Sequence, residues 1–399
     1  MNLFKQIEKT LSKSVTSGSA VNFASIDYTI PNIPLVIERR SDPWVWYGED
    51  NLYPLAVSDL RNGSGIHNSI VKTKSKMTAG DGWLLNGAKT EEESKSVYGA
   101  LKNKIEYDLF MQNPHDTMDI IAIHNRICDD YQEQGQFAVE LVFNNDFSKI
   151  ARVKYVKVEN LRAGKMNESG EVESYFYCKD WKNPKRKGNE PKEIKVFTGT
   201  NKSDLNQLYF LKMGNNEYYG ELPYKGCLNW IQIDFKMSLY HLSNIDNGMN
   251  PGMIFKFYKV PTGENDKQDI INNLQKTYRG ALKAGKPLVL FSENKELSPD
   301  ISPADVSNID KQQMVLAELC DKKILTGHQL TSPLLAGISV SGQLGGNVEL
   351  EKAYMIYDNV TIKYDRADVE RFWNRLLQYN KTGVVIEVNP FNPFKVRMV

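Results

Sequence analysis

KGCLNWIQIDFKMSLYHLSNIDN, residues 225–247, carries two apolar stripes where a surface helix carries one. Leu228, Ile231, Phe235, Leu239 and Leu242 form the first; Trp230, Ile233, Met237 and Tyr240 lie rotated around the axis. A surface helix buries a single stripe against its own core, so two stripes predict contacts on two sides. Pro251 and Gly252 break this helix, and MIFKFYK then reads as a strand. Asn265 and Gln268 are spaced like a capping box, and Ile270, Ile271, Leu274 and Tyr278 give one apolar face up to Gly280. PLVLF follows as a short strand. A second long helix is predicted from near Asp305 to about Thr326, containing Ile309, Met314, Leu316, Leu319, Cys320 and Ile324. The pattern is a small α/β insert held between two long helices, in a chain of α+β class.

The stretch after the second long helix is TSPLLAGISVSGQLGGNVELEKAY, residues 331–354. Gly327 stops the helix, Pro333 prevents its restart, and the run from Gly337 to Gly345 has no charge. Helical spacing resumes at Asn347, an N-cap residue type, with Leu350, Tyr354 and Tyr357 on one face. The Gly and Ser content invites a phosphate-cradle reading. No Lys-Ser/Thr pair closes it, and no GxGxxG spacing surrounds it, so a connector is the better reading. Lys322 and Lys323 near the end of the preceding helix fit either a phosphate contact or compensation of the helix dipole.

The chain has 399 residues, 41% hydrophobic and 25% charged, with a formal net charge of +1. This length predicts two or three domains, and the charge balance excludes a global field drawing the protein to nucleic acid or anionic lipid. No apolar run approaches the roughly 18 residues that span a bilayer, and MNLFKQIEKTLSK is a short amphipathic pattern without a signal-peptide core. The default compartment is the cytosol. Cys128, Cys178, Cys227 and Cys320 are dispersed with no CxxC pair, so they read as reduced, half-buried residues.

Elsewhere, residues 1–40 read as a mobile arm, followed by the aromatic run from Trp44 to Pro54. Residues 55–79 have helical spacing and end at the Gly80–Gly82 turn. A helix over about 116–135 places Ile120, Ile123, His124 and Ile127 on one face. FAVELVF, ARVKYVKV and EVESYFY alternate as an antiparallel meander with one wet face; IKVF and QLYFLKM follow the basic loop Pro184 to Lys187. Val369, Phe372, Trp373, Leu376 and Leu377 mark a helix over 368–380, and VVIEV a last strand.

His67, His115, His124, His241 and His328 are scattered without ligand spacing, which argues against a metal site. His124 and His241 read as packed or capping residues more readily than functional ones. No nucleophile motif and no marked carboxylate pair is present, so the residues predict no enzyme, no cofactor and no metal.

Four stretches together resemble the portal proteins of tailed bacteriophages: YGEDNLYPLAVSDLRNGSGIHNSIVKTKSKMTAGDGW, GQFAVELVFNNDFSKIARVKYVKVENLRAG, the segment from NPGMIFKFYKV to SPDISPAD, and KKILTGHQLTSPLLAGISVSGQLGGNVELEKAYMIYDNVTIKYDRADVERFWNRLL. They cover residues 45–380 in order. The resemblance implies a homo-oligomeric ring, dodecameric in the family, at one capsid vertex of the virion. Double-stranded DNA would pass through it without sequence preference, and its partners would be further copies of itself, the terminase, the major capsid protein and a head-tail adaptor, with no membrane. It implies an arm over 1–40, a wing over 41–223, stem helices over 224–249 and 304–327, a clip over 250–303, a tunnel loop over 328–346 and C-terminal wing helices with the tail over 347–399. A crown is expected to be absent or minimal. Ser339, Ser341, Gln343, Asn347, Lys322 and Lys323 would line the DNA path, and Trp230, Phe235, Met237 and Leu239 the subunit interface. The alternatives are a head-tail connector or adaptor, and a DNA-processing enzyme.

Overall fold

The computed structural model describes residues 30–31, 33–85, 120–246, 254–257, 269, 288–291, 309–337, 347–383 and 385–390. The chain is α+β. β1 (Val36–Glu38) and β2 (Val45–Tyr47) form an antiparallel pair, followed by α1 (Tyr53–Gly63) and α2 (Gly65–Ala79). The helical run expected over 55–79 is thus split. Ser64 is the reason: it leaves helical geometry and its hydroxyl accepts the His67 backbone N–H, starting a new helix.

β3 (Trp83–Leu85) and α3 (Ile120–Gln134) come next. Then follow β4 (Gln136–Phe143), β5 (Ile150–Val156), β6 (Leu161–Ala163), β7 (Ser174–Tyr177), β8 (Lys192–Val196) and β9 (Asn206–Lys212). These make one six-stranded sheet in the order β5-β4-β9-β8-β7-β6. The expected meander holds for β4–β5 and for β6–β7–β8, but β9 inserts beside β4 and runs parallel to β8.

The expected wet face is corrected at the middle of this sheet. Phe137, Val139 and Leu141 point into a core shared with α3 and a C-terminal helix, while Ala138 and Leu208 point into a second core beneath α1 and α2. The alternation holds, but a separate core covers each phase.

After a 3₁₀ turn at Lys225–Cys227, α4 (Leu228–Asp246) is the double-striped helix. β10 (Ile254–Phe257) and β11 (Leu288–Phe291) form a parallel pair, and α5 (Ile309–Gly327) packs back against α4. Of the capping-box helix expected near 265–280, Asp269 is described and is helical; the rest lies outside the described residues. A 3₁₀ turn at Pro333–Ala336 leads toward α6 (Asn347–Tyr357), a π segment (Asp358–Ile362), α7 (Lys363–Tyr379) and β12 (Ile386–Val388), which pairs with β3.

Val369, Phe372, Trp373, Leu376 and Leu377 of α7 are all buried, as their spacing predicts. Trp373 also fixes His124: the indole N–H donates to Nδ1 at 3.1 Å, and Nε2–H donates to the Ala79 carbonyl at 2.9 Å. Both ring nitrogens are satisfied only in the neutral form, and burial pushes the His124 pKa down to about 4. His124 is a packing residue.

The mobile arm expected over 1–40 is corrected at its C-terminal part. Ile30 is buried, and the Gln232 side-chain amide of α4 clamps its backbone, accepting from N–H at 2.8 Å and donating to C=O at 2.9 Å. The four cysteines are free thiols but fully buried rather than half-buried.

Candidate functional site

The two long helices change character along their length. Leu228 and Ile231 at the start of α4, and Cys320 and Ile324 near the end of α5, are buried in the body of the protein. Phe235 lies over Gly63, where a Cβ would come within 2.3 Å of its ring, so a helix-terminal glycine makes room for this contact. Farther out the apolar residues have no cover: Tyr240, Leu242 and Ile245 (57% exposed) on α4, and Met314 (66%), Val315 and Leu319 on α5.

A second apolar face lies on the segment α6–π–α7. Val348, Met355, Ile356, Val360 (64% exposed) and Tyr364 (70%) project from it. The opposite side is anchored: Tyr354, Tyr357 and Ile362 pack with Met77 of α2, and the Thr331 hydroxyl donates to the Ala353 carbonyl at 2.7 Å. Across the π segment, Arg366 holds Asp358 at 2.6 Å and donates to the Met77 carbonyl at 2.9 Å. A π segment adds a residue to the helical turn, and here the ion pair spans that irregularity.

Of the interface residues expected from sequence, Trp230 and Phe235 pack on the protein's own core and are half-buried, as are Met237 and Leu239. The most exposed apolar residues on this helix lie beyond them. Lys322 and Lys323 are both exposed, one turn before the end of α5, and the last turn carries no basic residue; the dipole role weighed for them is not supported. Asn347 is the first residue of α6. Ser339, Ser341 and Gln343 lie outside the described residues.

The structure brings together two histidines that sequence left apart. His67 Nδ1 and His328 Nε2 are 2.9 Å apart, fully buried, with Tyr224 against both rings. This pair joins α2 to the residue just after α5. Beside it Gly327 touches Cys227 so closely that a Cβ would lie 2.3 Å from the cysteine Cβ. No spacing rule links positions 261 residues apart, so only the fold could reveal the pair. The second apolar face did have a signal: Val348, Ile356, Val360 and Tyr364 follow a four-residue row that the buried stripe does not use.

Among the described residues, no group of three or more His, Cys, Asp or Glu side chains could hold a metal ion, and no helix is long and apolar enough to cross a membrane.

No family model and no curated protein matches the chain. Solved structures do. A chain from the neck of an empty gene transfer agent (GTA) particle shares 15% identity, covers 86% of this chain and 85% of its own, and superposes with a TM-score of 0.52. A chain from the virion of the native GTA particle shares 15% identity, with coverages of 86% and 84% and a TM-score of 0.51. An HK97 family phage portal protein from Corynebacterium diphtheriae shares 7% identity over 89% and 96% of the two chains, with a TM-score of 0.44. The fold of this chain is therefore that of chains in the GTA neck and virion.

Proposed function

We propose that the protein is the subunit of a bacteriophage portal, a closed ring of identical chains at one vertex of the virion. The observation that carries this reading is the presence of two separate sets of exposed apolar side chains on one chain, one on α4–α5 and one on α6–π–α7. Two different faces that fit each other make a head-to-tail contact, and such contacts close into a ring when the rotation permits. Covering each half-exposed side chain is worth about 1 kcal/mol, at ~25 cal/mol per Å² of apolar surface. Repeated around a ring, with every copy held on both sides, these increments hold the assembly together. The fold shared with GTA neck and virion chains supports a connector role in a particle, and the resemblance read from sequence points the same way. Twelve is the copy number that resemblance implies.

In this reading α4 and α5 are the stem, β10, β11 and the residues between them belong to the clip, and the six-stranded sheet with α1–α3 and α7 forms the wing. The clip would meet the terminase and later a head-tail adaptor. A head-tail adaptor is the rival reading, and the α/β insert between two long helices favours the portal. Residues 328–346 would be the tunnel loop, and Ser339, Ser341, Gln343 and Asn347 are assigned to the DNA path as the resemblance implies. A conduit must touch DNA without gripping it, because each Lys or Arg on a phosphate releases counterions and adds affinity. Short uncharged side chains offer contacts too weak to stall sliding.

Deleting residues 337–346 is expected to leave rings intact by electron microscopy while DNA packaging falls at least tenfold. Packaging at the wild-type level by that variant overturns the tunnel-loop assignment.

A further inference from the structure

The His67–His328 contact cannot satisfy all of its own ring nitrogens. Each neutral imidazole carries one N–H, and the contact uses one donor and one acceptor. If His67 Nδ1–H donates, His328 carries its proton on Nδ1; if His328 Nε2–H donates, His67 carries its proton on Nε2. Neither outer nitrogen has a hydrogen-bond partner among the described residues. In either tautomer one buried N–H is left over, so the pair is held rather than relaxed.

Adding protons makes this worse. One proton on the pair keeps the contact, but buries a cation and leaves two outer N–H groups without acceptors. A second turns both facing nitrogens into donors and breaks the contact. The surroundings offer little relief. Lys74 of α2 is almost fully buried beside the pair, and Arg61 of α1 acts on His67 in the same sense. Tyr224 packs on both rings from the turn before α4, Cys227 of that turn lies against Gly327, and the Tyr357 hydroxyl donates to the His328 carbonyl at 3.4 Å. Asp365 of α7 is the acidic group on this side; it faces Lys74 and accepts from Gln132 at 2.7 Å. Burial holds the His67 pKa down to about 3 and pushes that of His328 well below its ordinary value.

We propose that the His67–His328 pair is an acid-labile latch that fastens the end of α5, and with it residues 328–337, onto α2. In the closed state both rings are neutral. In an opened state both meet water and regain a pKa near 6.5, so acidification draws this joint open. The sign follows from the depressed closed-state pKa: the latch is fully effective above about pH 6.5 and weakens as pH falls below it. Asp365, which burial pushes upward, works in the opposite sense and is shared by all variants below. The inference concerns a joint inside one chain and stands whether or not the protein is a portal.

Cys227 is a built-in reporter, because it is buried and Gly327 at the end of α5 lies directly on it. The full-length protein is labelled with a pyridyl disulfide that reacts at acid pH, and each cysteine is read by mass spectrometry against the denatured protein at the same pH. Between pH 7.5 and 5.5 each histidine contributes about tenfold, so relative labelling of Cys227 rises about 100-fold. Cys128, in the core between α3 and the sheet, rises much less. His67→Gln or His328→Gln alone reduces the Cys227 rise to about tenfold. Equal rises at Cys227 and Cys128 in the wild-type protein overturn the latch, and so does an undiminished Cys227 rise in either folded variant.

Discussion

Replacing Ile356 and Val360 together by aspartate is expected to convert the proposed rings to monomers, and so is replacing Met314 and Val315. Each pair removes two exposed apolar side chains from one of the two faces and puts two carboxylates in their place. A carboxylate buried at an interface without a partner costs several kcal/mol, more than the contact it replaces contributes. The isolated subunit is spared, because all four positions are solvent-exposed. Leu205, exposed on the strand side of the molecule, is the control, and its aspartate variant should still form rings. The mixture of the two double variants is the sharper test. A chain with only its α4–α5 face intact and a chain with only its α6–π–α7 face intact can make one contact between them. Mass photometry should then show dimers and nothing larger. Rings in either double variant, or monomers alone in the mixture, contradict the head-to-tail pairing.

The second large effect is inside the chain. Arg366→Ala should destabilise the protein by about 3–5 kcal/mol, the usual consequence of leaving one member of a buried ion pair uncompensated. It leaves Asp358 without its cation and the Met77 carbonyl without its donor, at the π segment that joins α6 to α7. Arg366→Met combined with Asp358→Leu should recover most of the loss, since a well-packed apolar pair often replaces a buried ion pair at little net cost. Chemical unfolding measures both. A loss below 1 kcal/mol for Arg366→Ala would mean that the pair is hydrated and does not brace the joint.

Much of the architecture is written in local periodicity. The α7 face at Val369, Phe372, Trp373, Leu376 and Leu377 could be read directly, because one buried stripe at helical spacing has one interpretation. The double stripe of α4 was equally visible, but spacing alone could not separate its inner residues from its outer ones. Trp230 and Phe235 turn out to rest on the chain's own core, and Gly63, 172 residues from Phe235, is what makes room for the ring. Sheet order was illegible for the same reason: β9 beside β4 depends on a long-range pairing that neither strand's alternation encodes. Ile30 read as part of a loose arm because its anchor is the side chain of Gln232, a polar residue among the α4 stripes. The His67–His328 contact belongs to this class as well. Two single histidines on separate elements carry no pattern until tertiary packing closes α2 onto the end of α5.

The ring is the claim on which the functional reading stands. Mass photometry of the purified 45.5 kDa chain at micromolar concentration, checked by negative-stain images, tests it most directly. The account predicts a single closed species near twelve times the subunit mass, with an axial hole. A strictly monomeric protein, or an open fibre without closure, contradicts it.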